Sequence, residues 1–216
     1  MLDMYDDATG EGSVFGVTFT EGSSSDLFLH VHHIAKAFKE HCKVLFVSSK
    51  TCELNLRFFA SKLAIRWDQS LLKVLEIGEL LGDDLQSSAD GICGTITQLS
   101  DEFDTILIED GTVFDALGID PKEAMKMVER ITTSDKKRVL ISFSYKCTLY
   151  YLLKRQADYD VELKLIGGGF GKDVTGNMAI RRSSLVSLAP ERRDVLYLTG
   201  ERSIKCFPPG HASIFF

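Results

Sequence analysis

From residue 14 to residue 157, short apolar runs rich in β-branched residues alternate with runs whose apolar positions recur every three to four residues. The first pattern suits a buried strand and the second an amphipathic helix. Residues 14–19 (VFGVTF), 43–49 (KVLFVSS), 71–77 (LLKVLEI), 104–111 (DTILIEDG) and 138–144 (RVLISFS) read as strands. Between them, 26–40 carries Leu27, Val31, Ile34 and Phe38 on one helical face. Residues 52–63 do the same with Leu56, Phe59 and Leu63. Asp90 is placed to cap a helix bearing Ile92, Ile96 and Leu99. After a short turn at 112–119, Pro121 opens a helix with Ala124, Val128 and Ile131 inward, and 148–157 forms the last helix. Strands joined through helices must run parallel, so the chain is expected to be α/β, with helices on both faces of a mainly parallel sheet.

Beyond residue 160 the helical period disappears. The runs DVELKLIG, GNMAIRRS, DVLYLTG and SIKCFPPG are separated by turn signals alone. They predict an antiparallel C-terminal hairpin extension on the same sheet. With no repeat, linker or low-complexity tract, residues 14–216 read as a single domain. Residues 1–13 (MLDMYDDATGEGS) read as a short, loosely ordered acidic leader without the basic and apolar regions of a signal peptide.

Composition narrows the function classes. Hydrophobic residues make up 44% and charged residues 26% of the 216, enough for a substantial core. No apolar run is long enough to span a membrane. Five scattered cysteines without a CxxC pair argue against a disulfide framework and against structural zinc. A net charge of -6 lacks the basic footprint of a stand-alone nucleic-acid binder.

The loop TEGSSSDLFL lies between the first strand and the first helix, where nucleotide-binding α/β proteins cradle phosphate. That cradle needs several glycines, a Lys against the β/γ-phosphates and a hydroxyl for magnesium. Here Gly22, Ser23, Ser24, Ser25 and Asp26 offer one glycine, no Lys, and an acid that repels phosphate while suiting a helix cap. The loop is a degenerate phosphate cradle. The strand DTILIED ends in Glu109 and Asp110, a degenerate form of the acidic strand that orients magnesium in ATPases. The glycine-rich GGGFGKD (167–173) fits neither phosphate motif and reads as a hairpin tip. His30, His32 and His33 lack a third metal ligand at matching spacing and read as a polar or interfacial helix face. Of the basic runs Arg181-Arg182, Arg192-Arg193 and Lys136-Lys137-Arg138, the two arginine doublets are the candidates for RNA phosphate contact, against the commoner reading of such runs as a solvated face.

Three features together resemble a known family: the helix FLHVHHIAKAFKEHCKVLFVS, the strand DTILIEDGTVFDALGID, and the ending GFGKDVTGNMAIRR with VLYLTGERSIKCFPPGHASIFF. The chain is similar over residues 14–216 to the Elongator complex protein 6 family, RecA-like subunits without a working Walker A motif. The resemblance implies a RecA-like fold and a heterohexameric ring with Elongator subunits four and five, two copies of each. It further implies docking on the catalytic Elongator core, tRNA binding by the assembled ring, and support of wobble-uridine modification in the cytoplasm, and also in the nucleus. It implies no catalytic residue, no cofactor and no metal in this chain; the arginine doublets are the expected tRNA contacts. Two other readings share the fold: a RecA-like ATPase with a divergent P-loop, and a recombination-type RecA paralogue of a DNA-repair complex. A stand-alone RNA-binding domain conflicts with the charge.

Overall fold

A computed structural model describes residues 2–10, 14–22, 25–81, 85–133, 137–166, 174–183 and 190–209, without the side chains of 85–90. The hairpin tip at 167–173, Lys136, Ser23, Ser24 and the C-terminal HASIFF lie outside the described residues.

The α/β expectation holds. The elements in chain order are α1 (Asp3–Thr9), β1 (Phe15–Glu21), α2 (Leu27–Lys39), β2 (Val44–Ser48), α3 (Glu53–Lys62), β3 (Leu72–Glu76), α4 (Ile77–Leu80), α5 (Leu85–Ser100), β4 (Thr105–Ile108), α6 (Thr112–Ala116), α7 (Pro121–Thr132), β5 (Arg138–Phe143), α8 (Thr148–Gln156), β6 (Tyr159–Leu165), β7 (Gly176–Arg182), β8 (Glu191–Thr199) and β9 (Ile204–Phe207). The strands form one sheet in the order β3-β2-β4-β5-β1-β6-β7-β8-β9. The strands from β3 to β6 in that order run parallel. From β6 onward the pairings are antiparallel.

Strand side chains alternate between the faces, and each face buries its own core. Val44, Phe46, Leu107 and Leu140 pack with Leu29, Ile34 and Leu56 beneath α2 and α3. Their neighbours Leu45, Val47, Ile106 and Ile141 pack with Ile92, Ile96, Val128 and Leu149 beneath α5, α7 and α8. Each fully buried aliphatic side chain contributes about 1.5–3 kcal/mol. On α7, Ala124, Val128 and Ile131 face inward as the spacing predicts, and the Asp120 carboxylate accepts from the Lys122 N–H ahead of the helix.

Two expectations are corrected. The acidic leader is not loose: α1 folds from it, and Leu2, Tyr5 and Ala8 are buried. Hairpin-linked strands bring no helix with them, so one face of β7, β8 and β9 would stay bare; α1 covers it, packing beside Met178, Ile180, Val195, Tyr197 and Ile204. Seven helical residues are too few for a periodic signal. The second correction concerns Asp90, which lies inside α5 rather than at its cap, because the helix already begins at Leu85. Among the described residues, no helix is long and apolar enough to cross a membrane.

Candidate functional site

The C-terminal ends of β1, β2, β4 and β5 converge on a cleft of about 270 Å³, lined by Gly22, Asp26, Lys50, Glu109, Asp110 and Ser142 among others. Ligands of open parallel sheets bind at this end, where loops and helix N-termini face outward. The degenerate cradle and the acidic end of β4 thus line one cleft, with β5 between β1 and β4. Gly22 takes φ +72, the left-handed conformation that glycine adopts without steric cost.

Glu109 does not face the cleft as a free carboxylate. The loop after β2 wraps it: the N–H groups of Ser49, Lys50 and Thr51 donate to its Oε2 at 2.9, 2.8 and 3.1 Å. The Ser48 hydroxyl adds a bond at 3.1 Å, and the Thr51 hydroxyl donates to Oε1. Successive backbone N–H groups of this kind form an anion-binding concavity. Here the chain fills it with its own carboxylate. Burial pushes the Glu109 carboxyl up, but the Thr51 hydroxyl and the three amides outweigh burial and hold it below its ordinary value.

Asp110 is equally engaged. Its Oδ1 accepts from the Thr112 N–H at 3.0 Å, the Thr112 hydroxyl at 2.5 Å and the Ser144 N–H at 3.3 Å. Its Oδ2 holds the Lys50 ammonium. Burial raises its pKa, and Lys50 and Thr112 more than reverse the effect. The sequence reading missed Lys50 because the residue belongs to no phosphate motif. Its reach to Asp110 depends on β2 and β4 being neighbours.

Asp26 precedes α2 without capping it, since its side chain makes no cap hydrogen bond. The carboxylate turns inward instead, 3.7 Å from His30 Nε2. The same nitrogen lies 2.9 Å from the Ser142 hydroxyl. A Ser–His–Asp relay uses the two ring nitrogens separately, one toward the hydroxyl and one toward the carboxylate. Here Nε2 faces both groups, so the cluster lacks the two-nitrogen arrangement of that relay.

The other two histidines also turn inward, toward α1. His32 Nε2 contacts both Asp6 oxygens at 3.0 and 3.1 Å, and His33 Nε2 lies 2.9 Å from the Tyr5 hydroxyl. They hold α1 rather than a ligand. Among the described residues, no group of three or more His, Cys, Asp or Glu could hold a metal ion.

The arginine doublets do not form one patch. Arg181 pairs opposite Arg192, and Arg182 opposite Glu191. Alternation therefore puts Arg181 and Arg192 on one face and Arg182 and Arg193 on the other. Arg181 forks to Asp160 and Glu162, at 2.8 Å to each, and its bond holds the Glu162 carboxyl at about 2. Arg192 bonds Asp194 on its own strand, and Arg182 lies against Gly10. Arg193 is exposed.

The described lining departs from that of a magnesium-nucleotide site. Nucleotide phosphates would meet Asp26 with no lysine from the cradle loop, and both carboxylates that could orient a metal are bonded within the chain. No model of a known protein family matches the chain, and no curated protein matches it in sequence.

Proposed function

We propose that this chain is a non-catalytic scaffold subunit of Elongator. Its RecA-like domain joins subunits four and five in a heterohexameric ring, and the ring binds tRNA and supports wobble-uridine modification by the catalytic core. The observation that carries this reading is the internal use of Glu109 and Asp110. Their lone pairs go to the loop at 48–51, to Lys50 and to Thr112, so a site at the usual nucleotide position serves as a structural joint. A domain of this kind contributes two different faces to its neighbours, the heterologous arrangement that closes a ring. Of the four candidate arginines, Arg193 is the most open to an RNA phosphate. The ring works in the cytoplasm and the nucleus.

Calorimetric titration of the purified chain with Mg·ATP tests the reading. The scaffold assignment expects no saturable binding up to about 1 mM, a very weak affinity. Saturable binding that disappears in Lys50→Met would favour the ATPase with a divergent loop instead.

A further inference from the structure

The outer face of α3 stands apart from the rest of the surface. The helix buries Leu56 and Ala60 against the core. Leu54 and Phe58, one helical turn apart, remain 72% and 61% exposed, the highest values among the exposed large hydrophobic residues described. Burying such a pair against a partner removes apolar area that nothing within the chain covers.

Cations outnumber carboxylates in the sequence that carries this pair. Arg57 and Lys62 are both exposed on α3, and the Lys62 ammonium sits 4.5 Å over the Phe58 ring. Residues 51–73 hold four cations, Arg57, Lys62, Arg66 and Lys73, against the carboxylates of Glu53 and Asp68, while Lys50 just before them is paired with Asp110. Glu53 lies in the first turn of α3, where it complements the helix dipole. Asp68 accepts from the Ser70 N–H and hydroxyl. A local cationic excess within a chain of net charge -6 is a directional feature: it attracts an acidic surface and repels a basic one.

We infer that the outer face of α3 is a docking surface for an acidic amphipathic helix of a partner protein. The partner's apolar stripe packs over Leu54 and Phe58, and its carboxylates meet Arg57 and Lys62. Side chains four residues apart form a ridge that seats in the groove of an opposing helix. An exposed leucine favours a protein over a nucleic acid, because leucine offers no ring on which a base can stack. The inference does not depend on the scaffold assignment.

The test uses the full chain and a fluorescent synthetic peptide of about 18 residues, long enough to hold a helix. The peptide carries leucine at helical spacing and glutamate on both flanks. Anisotropy is expected to show binding that weakens with salt. Leu54→Ser with Phe58→Ser, and separately Arg57→Glu with Lys62→Glu, should each weaken it at least about tenfold. These side chains are solvent-facing, so unchanged melting temperatures will show that the variants fold. The inference is overturned if the peptide does not bind, if a lysine-flanked peptide binds equally well, or if the same variants abolish binding of oligouridylate instead. Light scattering that shows Leu54 and Phe58 mediating self-association would also overturn it.

Discussion

Lys50 crosses from the loop after β2 to the carboxylate of Asp110 at the end of β4. Lys50 lines the cleft, and its ammonium serves the chain's own acid. The Lys50 side chain is 62% exposed, so solvent screens the pair. Asp110 also keeps its bonds from Thr112 and Ser144. Lys50→Met should therefore destabilise the fold by only about 1 kcal/mol in chemical denaturation. A loss of several kcal/mol would mean that the pair is a principal support of the cleft.

Glu109 has the larger structural role. Glu109→Ala leaves the N–H groups of Ser49, Lys50 and Thr51 without their shared acceptor. Stability should fall by about 3 kcal/mol, with a smaller loss for Glu109→Gln, which keeps a carbonyl acceptor. Because the native carboxyl lies below its ordinary value, this stabilisation is full above the usual carboxylate range. It is lost as pH falls through the native value. Urea denaturation across acidic pH checks both statements.

The attachment of α1 carries a separate pH dependence. Burial first, then the neighbouring His32 and His30, pushes His33 well below its ordinary value, so the ring is neutral in the fold. The unfolded chain binds this proton more readily, so stability is full above about pH 6.5 and declines as pH falls below it. Burial alone would raise the Asp6 carboxyl, but His32 and Lys36 hold it at about 2, so its contribution is lost only in stronger acid. Between about pH 7 and 5, the decline in stability should flatten in His33→Gln, measured by thermal melts across that range.

Tyr5 joins α1 to both sides of its seat, bonding His33 at 2.9 Å and donating to Tyr159 at 3.2 Å. Tyr5→Ala empties a fully buried site and should destabilise the chain by about 3–5 kcal/mol. Gly16→Ala attacks the same contact from beneath, because a Cβ there would land in the Tyr159 ring. It should cost about 1–3 kcal/mol and speed amide exchange in α1. Unchanged exchange would separate Tyr159 from the hold on α1.

Much of the fold could be read from the sequence because its signals are local. The five parallel strands from β1 to β5 and the longer helices α2, α3, α5 and α7 announce themselves by period, whereas the short α4 and α6 do not, and the loss of helical period after residue 160 marks the change to hairpins. The cradle loop and the Glu109–Asp110 pair could also be placed at one end of the sheet. What escaped was long-range. The docking of α1 rests on seven residues whose partners lie on α2 and on β6 to β9. Lys50 and Arg181 take their meaning from strand neighbours distant in sequence. The Asp26 cap is a separate, local case: its carboxylate lies 3.7 Å from His30 one turn along the same helix and makes no cap hydrogen bond.

The most direct measurement is light scattering on a sizing column, with the chain alone and co-expressed with Elongator subunits four and five. The scaffold account predicts one stable particle with the mass of two copies of each subunit. A chain that elutes at its own 24.1 kDa beside partners that assemble without it would contradict the account.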